Sequence, residues 1–305
     1  MSLFSSFAGK GPSGFGANST AEEVTAGLSL AGKNILVTGC TSGLGLEAMR
    51  VLALRGARVL GTARSLAKAA AACGATQGKT LPLACELADP KSVRACVLAV
   101  QQDEQKLDAI ICNAGIMALP KLEVAFGNEL QFFTNHIGHF LLVTGLLGQL
   151  AANGRVVLLS SAAHRNAPRA GIEFDNLSGE RGYSGWQAYG QSKFANLLFA
   201  KQLARRLAGT QQVALAVHPG VIHTNLARNM NPVIDFALRA IGPLFLKTVP
   251  QGAATEVFAA VHPAAAALSG SYLADCNVAR PRADAEDPAL AKRLWEVSEK
   301  IAASV

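Results

Sequence analysis

The sequence contains few charged and few aromatic residues for its length. Asp, Glu, Lys and Arg make up 16% of the 305 residues, and Phe, Trp and Tyr make up 6%. Neighbouring basic residues occur only at Arg205-Arg206 and Lys292-Arg293, and no segment of the sequence combines a run of basic residues with interleaved aromatic residues. The net charge of +7 therefore fits solvated helix faces better than a nucleic-acid surface, and we predict no nucleic-acid partner.

Metal-binding, redox and membrane-spanning patterns are also missing. The six cysteines are scattered without metal-ligand or redox spacing, as expected of small buried side chains in a reducing compartment. His136 and His139 lie three residues apart but have no Cys or carboxylate at ligand spacing. The longest apolar stretch, Phe140 to Leu150, is too short to cross a bilayer. We predict a cytoplasmic protein with no metal site and no transmembrane segment.

The first 30 residues differ in composition from the rest of the chain. They are rich in Ser, Gly and Phe, and Ser19-Thr20-Ala21-Glu22 could cap a short helix. We predict a flexible N-terminal arm over residues 1–30, whose Phe4, Phe7 and Phe15 could contact a membrane surface or a partner. Residues 31–305 are then a single domain, long enough to bury a large core.

Short apolar runs alternate with helical patterns along that domain. Strands are predicted at 34–38, 58–62, 79–84, 107–112, 155–159, 213–217 and 271–274, and long helices at 130–150 and 185–207. A further helix is predicted to open at Glu86-Leu87 and to run to about Gln102. Alternating strands and helices predict an α/β fold, a doubly wound parallel sheet of Rossmann type with about seven strands.

A glycine-rich turn follows the first strand. Gly39 permits a tight turn, Gly43 allows the backbone to approach a pyrophosphate, and Gly45 lets the next helix pack on the strand. Free N–H groups at the start of that helix would hold the anion. The second strand ends at Ala63, where an NAD-binding protein would have an acidic residue, and Arg64 follows. Since Arg pairs with a 2′-phosphate, we predict NADP(H) as cofactor, with NAD(H) as the alternative.

Tyr189 and Lys193 are four residues apart in a predicted helix and so share one face. A nearby ammonium favours the phenolate form of Tyr, which could then exchange a proton with a carbonyl or an alcohol. The alternative is an ordinary pair that packs and solvates an amphipathic helix. The glycine turn earlier in the chain favours the catalytic interpretation.

A series of short motifs runs along the chain: Thr38-Gly39-x3-Gly43-Leu44-Gly45, Asn113-Ala114-Gly115, Asn135, Ser161, Tyr189-x3-Lys193 and Pro219-Gly220. In this order, and over about residues 33–275, they resemble the short-chain dehydrogenase/reductase superfamily. Segments 134–140, 160–164 and 188–193 resemble the retinol dehydrogenase branch. The N-terminal arm and 249–254 resemble the chloroplast translocon-associated reductases of that branch.

The resemblance implies a role for each matching residue. Tyr189 is the general acid/base, and Lys193 lowers its pKa and holds the nicotinamide ribose. Ser161 hydrogen-bonds the substrate oxygen, with Ser160 as the alternative serine, and Asn135 holds a water of the proton relay. The implied cofactor contacts are Gly39, Thr41, Ser42, Gly43, Leu44, Gly45, Arg64, Glu86, Leu87, Asn113, Ala114, Gly115, Tyr189, Lys193, Pro219, Gly220, Val221, Ile222 and Thr224.

Two features of the chain bear on those roles. Glu86 stands where the family usually has Asp, so its adenine contact is the weakest match. His164 follows the serine pair and could steer substrate, but local hydrogen bonding of a loop histidine is the preferred interpretation.

Substrate would bind above the strand ends, between 162–186 and a predicted lid at about 225–248. The apolar residues of this segment favour a small apolar carbonyl or alcohol substrate. The alternative is a helix pair that packs on the core or forms a dimer face. We therefore predict an NAD(P)-dependent oxidoreductase, a monomer or a homo-oligomer, that interconverts an apolar aldehyde or ketone and its alcohol. The alternative, implied by the translocon resemblance, is an NADPH-binding regulatory protein of a membrane-associated complex, located at the chloroplast envelope.

Overall fold

The computed structural model describes residues 9–222 and 246–305, and one twisted sheet organises that part of the chain. Its strands are β1 (Asn34–Val37), β2 (Arg58–Ala63), β3 (Lys79–Ala84), β4 (Leu107–Cys112), β7 (Leu150–Leu159), β8 (Val213–His218), β9 (Tyr272–Ala274) and β10 (Asn277–Val278). They lie in the order β10-β9-β8-β7-β4-β1-β2-β3. The remaining strands, β5 (Val124–Ala125) and β6 (Asn128–Glu129), form a separate hairpin.

The predicted doubly wound parallel sheet is confirmed. Every pairing in the large sheet is parallel except that of β9 with β10. The sheet has eight strands where the sequence predicts about seven, because the two-residue β10 adds an antiparallel edge. So short a strand leaves no periodic pattern in the sequence.

Helices cover both faces of the sheet and bury two apolar cores. The longer ones are α2 (Gly43–Leu54), α3 (Leu66–Gly74), α4 (Pro90–Gln102), α6 (Gly138–Leu146), α7 (Gly185–Arg206), α8 (Val249–Val261) and α9 (Pro288–Ser304). α2 and α8 pack on one face, whereas α4, α6, α7 and α9 pack on the other. No helix of the described residues is long and apolar enough to cross a membrane.

The strand order creates a natural ligand crevice. β1 pairs with β2 on one side and with β4 on the other. The strands that follow β1 in the sequence are therefore added first on one side of it and then on the other, which makes this position the topological switch point of the sheet. Because the strands are parallel, the residues that follow β1, β4, β7 and β8 all emerge at one edge. Open α/β sheets bind ligands at such a crevice.

Two predicted helices differ from the observed ones. The predicted helix at 130–150 is interrupted: α5 (Leu130–Phe132) is followed by a π-helix over Phe133–Ile137, then by α6 and a 3₁₀ turn. The Leu87 backbone lies against Gly138, where a Cβ would collide with it. The helix predicted to open at Glu86 begins at Pro90 instead, because the Asp89 side chain caps it by accepting from the Lys91 N–H.

The part of the predicted N-terminal arm that the structure describes, residues 9–30, packs on the domain. The Phe15 ring centre lies 5.9 Å from that of Phe258 and 5.4 Å from that of His262. A short helix, α1 (Ala21–Val24), begins at a capping box and packs on α8. Residues 9–30 therefore contribute to the domain's packed surface, and Phe4 and Phe7 lie outside the described residues.

Candidate active site

A cleft of about 1620 Å³ opens at the carboxyl edge of the sheet. Most of the residues predicted to bind cofactor or to act in catalysis line it. They are Gly39, Thr41, Ser42, Gly43, Leu44, Arg64, Glu86, Leu87, Asn113, Ala114, Gly115, Ser161, Tyr189, Lys193, Pro219, Gly220, Val221 and Ile222. Gly45 and Asn135 lie behind the cleft wall, and Thr224 and most of the predicted lid lie outside the described residues.

The glycine turn after β1 is held in a shape that other residues would disrupt. Gly39 has φ +75° and Gly43 has φ +59°, both in the left-handed region. A Cβ on Gly45 would collide with the Asn113 amide nitrogen and with the Gly39 carbonyl oxygen. Asn113 Nδ2 donates to the Thr38 carbonyl at 2.7 Å, which ties this turn to the end of β4.

The start of α2 offers a site for an anion. Ser42 is the N-cap residue, but its side chain makes no capping hydrogen bond. The first-turn N–H groups of a helix have no partners within the helix, and its dipole favours negative charge there. Gly43 and Leu44 line the cleft at this point, and the exposed Arg64 lines it after β2. A nicotinamide dinucleotide fits this arrangement, with its phosphates at the α2 N-terminus.

Tyr189 and Lys193 meet at the other end of the cleft, both on α7 and both buried. Lys193 Nζ lies 5.6 Å from the centre of the Tyr189 ring and donates to the Leu159 carbonyl at 3.2 Å. Ser161 lies close enough for its hydroxyl to lower the pKa of Tyr189, and its Oγ accepts from the Ala163 N–H at 3.2 Å. These three side chains therefore converge around one small volume.

The two neighbouring serines face different ways. Ser160 Oγ is buried and donates to the Lys193 backbone carbonyl at 2.8 Å, so it fastens β7 to α7. Ser161 is instead half-buried and lines the cleft, where its hydroxyl acts on the pKa of Tyr189. The geometry therefore favours Ser161 over Ser160 as the serine that reaches a bound substrate.

Burial controls the ionisation of the pair. It raises the pKa of Tyr189 to about 12, although the hydrogen bond with Ser161 opposes the shift. It lowers the pKa of Lys193 to about 8, against the attraction of the Glu256 carboxyl. The sequence predicts a lowered Tyr189 pKa, whereas in the structure desolvation is the largest influence on it and Lys193 is not among the groups that shift it. Tyr189 is therefore a protonated phenol at neutral pH.

Asn135 lies in the π-helix and braces the wall behind Lys193. Its Oδ1 accepts from the Ile116 N–H at 2.8 Å, and its Nδ2 donates to the Ile116 carbonyl and to Ser192 Oγ, both at 2.9 Å. A Cβ added to Gly115 would lie 3.0 Å from Asn135 Oδ1 and 3.4 Å from Lys193 Nζ. The glycine thus lets the Asn135 amide approach Lys193.

The three histidines considered in the sequence analysis, His164, His136 and His139, make hydrogen bonds within the protein. His164 Nε2 accepts from the Arg282 N–H at 3.1 Å, so Nδ1 carries the proton and donates to the Ser161 carbonyl at 2.6 Å. His136 bonds Ser298 and His139 bonds Thr38, and burial lowers their pKa values to about 3 and about 4. Among residues 9–222 and 246–305, no group of three or more His, Cys, Asp or Glu side chains could hold a metal.

Several cleft residues are not among the sequence-predicted site residues. The half-exposed Trp186 ring lies 6.3 Å from that of Tyr189, and Met117, Asn166 and His218 also line the cleft. Their contacts depend on tertiary packing and leave no local signal. Glu256 is different: it is a lone charge in the apolar helix VPQGAATEVFAAV, a pattern that marks a buried acid.

Comparisons with known proteins agree with this geometry. A family model described as short chain dehydrogenase matches residues 33–234. The chain is 40% identical to the chloroplastic short-chain dehydrogenase TIC 32 A of Brassica napus, over 100% of both chains. It is 37% identical to retinol dehydrogenase 14 of Homo sapiens, over 88% of this chain and 85% of the human protein.

A solved structure shows the same likeness in three dimensions. It is an uncharacterised protein from Mycobacterium paratuberculosis, 34% identical, with a TM-score of 0.75. The match covers 92% of this chain and 97% of the other.

Proposed function

The chain belongs to the short-chain dehydrogenase family, and we propose that it interconverts an apolar aldehyde or ketone and its alcohol with NADP(H). Membership makes it an NAD(P)-dependent oxidoreductase. The observation that carries the finer proposal is the convergence of Tyr189, Ser161 and Lys193 at one end of a cleft whose other end is the glycine turn. Turnover of NADPH with apolar carbonyls tests it.

The bound NADPH supplies the hydride, so the protein's task is to place the substrate and to move one proton. Ser161 Oγ hydrogen-bonds the carbonyl oxygen and stabilises the negative charge that develops on it. Tyr189 Oη gives its proton to that oxygen, which becomes the alcohol hydroxyl. In the reverse direction Tyr189 takes the proton back. Lys193 supplies the nearby positive charge that favours the phenolate produced in reduction.

Part of the cleft wall is apolar. Ile116, Met117, Trp186, Val221 and Leu246 contribute to it, and the Trp186 ring lies 6.3 Å from that of Tyr189. These side chains favour burial of a hydrocarbon substrate over a charged one. A relative named retinol dehydrogenase is consistent with that class, which makes retinal a sensible first test substrate.

Replacing Ser161 with Ala is expected to lower kcat/KM by about 10²- to 10³-fold, because one donor to the developing oxyanion is lost. Ser160→Ala is the matched control: it removes a buried hydrogen bond to the Lys193 carbonyl. That loss should lower the free energy of unfolding by about 1 kcal/mol and leave kcat within a few-fold. Steady-state kinetics with both variants shows which of the two serines acts in the reaction. Equal losses of activity would contradict the assignment of Ser161.

Replacing Arg64 with Ala is expected to weaken NADPH binding by about tenfold and to leave NADH binding nearly unchanged. The exposed guanidinium would pair with the 2′-phosphate, and a charge-assisted hydrogen bond of this kind is worth about 1.5 kcal/mol or more. Lys68→Ala removes another cation that lines the cleft and is the control. Fluorescence titration measures both dissociation constants. Equal weakening for NADPH and NADH would refute the NADP(H) preference.

A second function, NADPH-dependent regulation of a membrane-associated complex, is favoured by one observation. The full-length 40% match is to a relative whose name places it in the chloroplast. This function predicts tight NADPH binding without turnover. Removing residues 1–8 keeps the packed segment from Gly9 onward, so loss of membrane or partner capture with NADPH binding retained would support it.

A further inference from the structure

The loop that follows β8, residues 219–222, lines the cleft and is paired with a distant part of the chain. Ile222 forms a parallel bridge with Lys247, and the Lys247 N–H donates to the Val221 carbonyl at 2.9 Å. Leu246, the residue before Lys247, also lines the cleft. The backbone around Lys247 therefore supports this part of the cleft wall, which we call the β8 loop.

The side chain of Lys247 lies across the β8 loop. A Cβ added to Gly220 would lie 2.5 Å from Lys247 Cδ and 2.9 Å from its Cε. Gly220 has φ +92°, in the left-handed region that favours glycine. The glycine thus lets the methylene groups of Lys247 pack directly on the loop backbone. Since the Lys247 side chain is only 14% exposed, its ammonium needs a partner within the protein.

Asp275 provides that partner from the turn between β9 and β10. The Lys247 ammonium forms an ion pair with its carboxylate. Asp275 has φ +53° and Cys276 has φ +62°, so the turn has two non-glycine residues in the left-handed region. The Cys276 N–H donates to Thr255 Oγ1 of α8 at 3.2 Å, and Asn277 Nδ2 donates to the Asp275 carbonyl at 2.7 Å. The carboxylate therefore stands on a turn that is itself anchored to α8.

The β8 loop belongs to the reacting end of the cleft. β7 and β8 are parallel neighbours, so Ser161 and Pro219 leave the sheet side by side. The Ala162 N–H donates to His218 Nδ1 at 3.2 Å, which joins the two strand ends. The loop thus begins beside the serine whose hydroxyl acts on Tyr189.

We propose that the ion pair of Lys247 with Asp275 positions the β8 loop against the nicotinamide half of the bound cofactor. Neither side chain lines the cleft, so both act through the loop and are positioning residues. The inference rests on the proposed function for one point, the placement of the nicotinamide beside Tyr189. A loop held in its binding shape before the cofactor arrives lowers the entropic cost of binding. Without the ion pair, only a fraction of the molecules hold that shape, and the apparent affinity falls by that fraction.

The test compares two ligands, NADPH and adenosine 2′,5′-bisphosphate, by isothermal titration calorimetry with the wild type, Lys247→Met and Asp275→Gly. Each substitution is expected to raise the dissociation constant for NADPH about tenfold. Adenosine 2′,5′-bisphosphate has no nicotinamide and should bind as it does to the wild type. The double variant should bind NADPH no more weakly than either single variant, because both changes break the same pair. Unchanged NADPH binding, or equal weakening for both ligands, would overturn the proposal.

Two features of the variants separate positioning from folding. Glycine adopts φ +53° without steric cost, so Asp275→Gly should keep its melting temperature within a few degrees although the ion pair is lost. Lys33→Met is the matched control. It breaks another Lys–Asp pair, with Asp108 at 2.8 Å, at the opposite edge of the sheet from the cleft. A loss of NADPH affinity in Lys33→Met equal to that in Lys247→Met would overturn the proposal.

NADPH binding needs no turnover, so this inference and the proposed function can fail separately. Selective weakening of NADPH binding, with no carbonyl reduced by the wild type, would support the role of the ion pair and count only against the proposed reaction. Carbonyl reduction by the wild type, with unchanged NADPH affinity in both variants, would overturn the role of the ion pair and leave the proposed reaction standing.

Discussion

Tyr189→Phe is expected to lower kcat for carbonyl reduction by about 10³-fold or more while leaving the dissociation constant for NADPH nearly unchanged. The substitution removes only the hydroxyl. The ring keeps its edge contact with Trp186, with the two centres 6.3 Å apart, and its place beside Lys193. Without Oη the carbonyl oxygen has no proton donor in the protein at that position. The hydride transfer would then produce an unprotonated alkoxide in a buried site.

Tyr272→Phe is the control for this experiment. Tyr272 is buried to a similar degree, and burial also raises its pKa to about 12, but it lies outside the cleft. Removing its hydroxyl should leave kcat within a few-fold. Stopped-flow reduction at saturating NADPH measures both variants. A Tyr189→Phe enzyme that keeps a tenth or more of the wild-type rate would rule out Tyr189 as the proton donor.

Lys193→Met is expected to lower kcat by about 10²- to 10³-fold and also to weaken NADPH binding. Met has a similar length but no charge, so the phenolate that forms at Tyr189 during reduction loses its nearest cation. The fold should tolerate the change, because replacing a buried ammonium with an apolar side chain removes a desolvation cost. Glu256 would then lose the attraction that opposes its raised pKa and would stay protonated at neutral pH.

Lys201→Met is the matched control for the lysine experiment. Lys201 is also buried on α7, but its Nζ pairs with Glu286 at 2.9 Å, two helical turns beyond Lys193. Its loss should lower thermal stability and leave kcat nearly unchanged. Rate and binding are measured separately, by rapid mixing and by fluorescence titration. A Lys193→Met enzyme within tenfold of the wild type in kcat would show that the ammonium is not needed for proton transfer.

The features that the sequence predicts best are those that depend on a local pattern of residues. The bounds of β3 and β4 agree with the predicted 79–84 and 107–112, because turn residues flank each of these short, mostly apolar runs. The sequence also predicts the glycine turn, because each of its glycines stands where a side chain would not fit. At Gly45, for example, an added Cβ would collide with the Asn113 amide and the Gly39 carbonyl. Helical spacing places Tyr189 and Lys193 on one face, and the glycine turn earlier in the chain is what favours a catalytic interpretation of the pair.

The features that the sequence did not predict depend on contacts between distant elements. The π-helix around Asn135 accompanies hydrogen bonds to Ile116 and Ser192, 19 and 57 residues away along the chain. The raised pKa of Tyr189 follows from complete burial, which spacing within a helix does not reveal. Packing of Phe15 on α8 needs the partner Phe258, which follows 243 residues later, so the local sequence around Phe15 carries no signal of this contact.

The most direct test of the proposed carbonyl reduction is the rate of NADPH consumption by the wild-type protein with a panel of apolar aldehydes and ketones, retinal included. We expect turnover of at least one of them, with a matching yield of alcohol and a lower kcat/KM with NADH. Tight NADPH binding with no alcohol formed from any member of the panel would contradict this activity and would favour the regulatory function instead.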